Sequence, residues 1–148
     1  MVRRPVAPRG RGRNDEKMKP PRVLIVIPAQ WTRALLRAEL RESGYDAAGA
    51  RDLLEALGSG SEAADPVRLI LLDQDALAAG DAKLLHDLLD RLRARHPSAV
   101  MVLLAGATHK APEGPFQQVL RRPMSIADIV RAIERVVPLP PGERRPLD

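Results

Sequence analysis

The sequence predicts an α/β fold, in which a layer of parallel strands is covered by helices on both faces. Three observations predict it. Apolar runs rich in Val, Ile and Leu recur at residues 22–27, 67–72 and 99–104, without the polar alternation of a sheet that has one wet face. Between them lie segments with apolar residues at spacings of three and four, the pattern of amphipathic helices. The two patterns alternate along the chain, as strands joined by helical crossovers require.

Each element has its own local reason. Residues 22–27 (RVLIVI) form a first strand buried on both faces. Residues 30–43 form a helix with Trp31, Leu35, Leu36 and Leu40 in one broad apolar stripe, and Gly44 stops it. Residues 45–50 form a second strand and 52–57 a short helix closed by Gly58. The third strand, 67–72 (VRLILL), ends at Asp73. In the helix at 81–95, Leu84, Leu85, Leu88, Leu89 and Leu92 share a face, and Asp81 is its N-cap. Residues 99–104 (AVMVLL) and 118–121 are the fourth and fifth strands. Ser125, with Asp128 three residues on, opens the last helix with a near capping box, and Ile126, Ile129, Val130, Ile133 and Val137 make its apolar face. Five strands in a chain of this size predict a flavodoxin-like, doubly wound parallel sheet of order 2-1-3-4-5, whose sites lie beyond the carboxyl ends of the strands.

Composition narrows the function classes. With 148 residues, 45% of them hydrophobic, the chain suits one domain with a sizeable core. It has no cysteine, which excludes disulfides and thiolate metal sites. No apolar run approaches the ~20 residues that span a bilayer, and no apolar stretch follows the basic N-terminus as in a secretory signal. A cytoplasmic protein is expected. The formal charge of +5 resides in the tail: residues 1–22 hold eight basic side chains against two acids, which leaves the remaining 126 residues at −1. Residues 1–21 read as a disordered basic tail, residues 22–137 as the folded body, and residues 138–148 (PLPPGERRPLD) as a proline-rich tail.

The strand RVLIV, the strand LILLD and the terminal run RRPMSIADIVRAIERVV, in that order and spacing, resemble the receiver domain of two-component response regulators (CheY-like) over about residues 22–137. The resemblance implies a phosphoacceptor site. Two acids at the end of strand one hold Mg²⁺ with the acceptor aspartate at the end of strand three. A hydroxyl ends strand four and a lysine ends strand five. Here the acid pair falls on Ile27 and Pro28, neither of which offers a side-chain oxygen to a hard cation. The hydroxyl position falls on Leu104. The lysine position falls on Arg122, which keeps the charge on a planar fork. The acceptor position keeps Asp73. The resemblance therefore implies a degenerate pseudo-receiver, with Asp73 retained by ancestry or held in an ion pair with Arg122. Asp75 and Asp73 without acids on strand one make a poor octahedral site, so no metal or cofactor is expected. The resemblance also implies a cis Arg122–Pro123 bond.

Residues 106–117 (GATHKAPEGPFQ) occupy the place of the family's fourth helix. Two prolines and two glycines in twelve residues predict that this helix is short or missing. The family's aromatic switch position on strand five falls on Val119, so the output relay is expected to be degraded with the site. Trp31 reads as core at the start of the first helix, with a partner anchor as the alternative. Phe116 reads either as part of a partner surface or as a plug for the missing helix. His86, His96 and His109 lack metal-ligand spacing and read as solvated. No nucleophile has a paired base, so catalysis is not expected.

The leading expectation is a phosphorylation-independent adaptor that binds a signalling protein, a kinase or an effector, in bacterial two-component-type signalling. The alternatives are a conventional regulator phosphorylated on Asp73, a nucleic-acid-associated protein working through residues 1–22, and a small-ligand module in the crevice beside Ile27 and Leu104. The plainer reading of the arginine tail is a flexible solubilising arm, or an upstream start with Met18 as the true one.

Overall fold

The computed structural model describes residues 19–58, 66–77, 81–107 and 114–141. Of the expected tails at 1–21 and 138–148, residues 1–18 and 142–148 lie outside the described ones, as does His109. The elements are β1 Arg22–Val26, α1 Gln30–Ser43, β2 Asp46–Ala50, α2 Leu53–Gly58, β3 Val67–Asp73, a 3-10 turn Gln74–Leu77, α3 Ala82–Arg95, β4 Val100–Ala105, β5 Gln118–Arg121 and α4 Ile126–Val136. The sheet is parallel throughout, in the order β2-β1-β3-β4-β5. Among the described residues no helix lies between β4 and β5, and no helix is long and apolar enough to cross a membrane.

Period-two alternation in the buried strands divides the core into two layers. Val23, Ile25, Ile27, Leu69, Leu71, Val102, Leu104 and Leu120 face α1 and α4. Leu24, Val26, Ile70, Leu72, Met101 and Leu103 face α2 and α3. The helix ends follow their capping chemistry. Gly44 has φ 119°, a conformation that a Cβ disfavours, and its N–H caps α1. Asp81 accepts a bond from the Lys83 N–H at 3.2 Å. The capping box at α4 is complete: the Ser125 hydroxyl accepts from Asp128 N–H, and Asp128 accepts from Ser125 N–H. The buried Tyr45 hydroxyl donates to the Val137 carbonyl at 2.6 Å and ties the entry of β2 to the end of α4.

Two helical faces depart from expectation. Leu36 and Leu40 are the core residues of α1, while Trp31 is 80% and Leu35 51% exposed. Trp31 is therefore not core. The side of α1 that meets the sheet carries Leu36 and Leu40, and Leu35, 100° round the helix from Leu36, falls outside it. The same geometry leaves Leu84 exposed at the rim of the arc that buries Leu88, Leu89 and Leu92.

His96 also departs from its solvated reading. It ends α3 at the amino end of the sheet, is 8% exposed, and its Nε2 has no hydrogen-bond partner. Burial first, then the charges of Arg95 and Arg22, hold its pKa below the ordinary histidine value of 6.5. The neutral form is thus favoured by folding. Its contribution is fully present above the unfolded pKa and is lost as pH falls through the lowered one. Urea midpoints measured from pH 7.5 down to pH 5 are expected to fall more steeply for the wild type than for His96→Leu. Parallel profiles would show that His96 does not set the acid edge.

Candidate functional site

The carboxyl ends of the strands bring Ile27, Asp73, Leu104 and Arg122 together. Asp73 ends β3 and is paired in register with Leu104 on β4. Leu104 is in turn paired with Leu120 on β5, two residues before Arg122. Alternation aims all four side chains at the α1 and α4 face. Ile27 is 0% and Leu104 1% exposed, so both belong to the core beneath the site. Pro28 is exposed at the start of the loop into α1.

Asp73 is 1% exposed, and both its oxygens are engaged. Oδ1 accepts the Asp75 N–H at 2.8 Å, a turn that aspartate makes with the backbone two residues on. Oδ2 accepts from the Arg122 guanidinium at 2.5 Å. A buried carboxylate needs such partners, because desolvating an unpaired charge is costly. Arg122 is anchored through its own N–H to the Ala105 carbonyl at 3.0 Å, and the Arg122–Pro123 bond is cis.

Three further side chains close this end of the sheet, and none was singled out from the sequence. Gln74 Oε1 accepts the Gly106 N–H at 2.9 Å, joining the ends of β3 and β4. The Arg121 guanidinium donates to the Gly106 carbonyl at 3.1 Å. Arg33, on the first turn of α1, donates to the Ile27 carbonyl at 2.7 Å and the Pro28 carbonyl at 3.3 Å. Its stem lies over Gly49, where a Cβ would come within 3.1 Å of Arg33 Cγ. Gly49 on β2 thus makes the room in which a guanidinium covers the end of β1. Such partnerships depend on strands far apart in sequence, and no local motif announces them.

The residues present do not fit a Mg²⁺ ion. Ile27 and Pro28 offer no side-chain oxygen, and both oxygens of Asp73 are spoken for by Arg122 and Asp75. Hard cations of this type need several free oxygens in octahedral array. Among the described residues no three His, Asp or Glu side chains group as metal ligands. Ile27 and Leu104, beside which a crevice was expected, are both buried. An open groove of about 480 Å³ lies instead at the opposite end of the sheet, beside His96, Met101 and Pro115.

The three candidate surface residues separate. Trp31 stands out from α1, 80% exposed. Val119 is 39% exposed on the face of β5 that a further helix would cover. Phe116 is half-buried and packs against the α2 and α3 layer of the core. It therefore fills part of the space beside β4 rather than standing free.

No family model matches the sequence, and no curated protein matches it. Solved structures do. The non-phosphorylated HemR receiver domain from Leptospira biflexa is 22% identical with a TM-score of 0.62, over 86% of this chain and 99% of that one. The receiver domain of an HD domain-containing protein from Pseudomonas fluorescens is 22% identical with a TM-score of 0.61, over 80% of this chain and 94% of that one. The response regulator TrrA from Thermotoga maritima, in complex with Mg²⁺ and BeF, is 19% identical with a TM-score of 0.60, over 79% of this chain and 99% of that one.

Proposed function

We propose that this chain, whose fold is that of response-regulator receiver domains, is a pseudo-receiver: a phosphorylation-independent adaptor that binds a signalling protein, a kinase or an effector, in two-component-type signalling. One observation carries the reading. The retained Asp73 is buried, and its Oδ2 is occupied by Arg122. In-line attack on a phosphodonor needs a free carboxylate oxygen and a cation to neutralise the phosphoryl charge. This site offers neither. Arg122 already makes, inside the protein, the cation contact that a phosphoryl group would otherwise recruit. The chain is read as having no enzymatic activity of its own, and its output as constitutive, through a folded surface that includes β5 at Val119.

The test is an NMR titration of the labelled full chain with Mg²⁺ and then beryllofluoride, which stands in for an aspartyl phosphate. No saturable shift at Asp73, Asp75 or Arg122 is expected. Saturable shifts that Asp73→Asn abolishes would replace this reading with that of a working phosphoacceptor.

A further inference from the structure

On α1 the residues Trp31, Ala34, Leu35 and Ala38 fall at positions i, i+3, i+4 and i+7, and all four are exposed. The opposite side of the helix carries Leu36 and Leu40, both 0% exposed. A helix that is apolar on two opposite sides has a second surface to cover. The only tryptophan of the chain stands on that second surface.

We propose that this stripe is a contact between two copies of the chain, with the two α1 helices packed antiparallel about a two-fold axis beside Ala34 and Leu35. A two-fold contact demands a patch that complements itself, and the order of residue sizes supplies it. Antiparallel pairing seats Trp31 of one copy on Ala38 of the other, and Leu35 of one on Ala34 of the other. Bulk meets a small residue at each crossing. Parallel pairing would set tryptophan against tryptophan and leave a gap at the alanines.

Charge points the same way. The N-cap of α1 is Ala29, which makes no side-chain cap, and the first turn holds no acid. The positive end of the helix dipole is therefore uncompensated. In the antiparallel arrangement Glu39 and Glu42, near the far end of α1, come to this first turn in the other copy. Arg37 and Arg41 then lie beside Gln30 and Ala34, so like charges do not meet. The contact is independent of the reading of Asp73, since it involves none of the residues at the carboxyl end of the sheet.

Sedimentation equilibrium on the full chain, from micromolar to millimolar, should show a dimer that grows with concentration. Trp31 emission should shift to the blue in parallel. Leu35→Glu, a change at an exposed position, should remain monomeric with an unchanged circular dichroism spectrum and melting temperature. The chain has no native cysteine, so single cysteines report the orientation. Ala34→Cys, close to the axis, should cross-link to itself under mild oxidation, and Ala38→Cys, a helical turn or more from its mate, should not. A chain that stays monomeric at all concentrations overturns the proposal. So does a dimer that survives Leu35→Glu, or one in which Ala38→Cys cross-links as readily as Ala34→Cys.

Discussion

Replacing Arg122 with methionine is expected to lower the unfolding free energy by roughly 2–3 kcal/mol, somewhat under the cost of breaking a fully buried ion pair because Arg122 itself is 34% exposed. For a body of this size that corresponds to about 10 °C in melting temperature. The loss does not come from the arginine's own contacts alone. It comes from leaving Asp73, 1% exposed, with an unpaired charge and one remaining bond from the Asp75 N–H. The double variant Asp73→Leu/Arg122→Met should therefore recover most of the stability, since a buried ion pair and an apolar pair of similar volume are often equivalent. Urea melts of the wild type, both single variants and the double variant close the cycle. If Arg122→Met costs no more than Arg135→Met at an exposed position of α4, the pair is not a structural lock.

Ile27→Asp is expected to be the more damaging change, at roughly 4 kcal/mol or more, because it places a carboxylate at a 0% exposed position with no partner. It restores in name one acid that a receiver carries at the end of the first strand, yet it falls in the core layer formed with Leu104 and Leu71. The neighbouring Pro28→Asp, at an exposed position, should change stability by only about 1 kcal/mol or less. Thermal melts of the two variants with and without Mg²⁺ test this contrast. A stable Ile27→Asp chain that gains stability on adding Mg²⁺ would show that the acid pair alone rebuilds a metal site, and that the apolar packing here is incidental.

Some of this site could be read without coordinates. Ile27, Pro28 and Leu104 declare their chemistry by residue type once the strands are aligned, and the sequence sets Asp73 and Arg122 at two strand ends without deciding between an ion pair and an idle carboxylate. Arg33, Gln74 and Arg121 were not legible. Each acts by reaching a backbone carbonyl or N–H on another strand, and a backbone group carries no residue-type signal. The burial of His96 is hidden for a related reason: its position at a helix end suggests solvent, and only the tertiary structure buries it. The sequence of α1 carries apolar residues for two sides of the helix but does not separate them. Hydrophobicity alone does not say which of two adjacent leucines meets the sheet.

The sequence by itself determined the alternation of strands and helices, the five-stranded parallel order, the caps at Gly44, Asp81 and Ser125, and the apolar residues at the end of the first strand. These are local matters of period, backbone conformation and residue chemistry, and they need no knowledge of distant neighbours. Only the tertiary structure decided that Asp73 is sealed by Arg122, that a guanidinium covers the end of β1, and that Trp31 faces outward while Phe116 turns in. Those outcomes depend on which surfaces meet when strands from far parts of the chain are laid side by side, and on whether a buried charge finds its partner there.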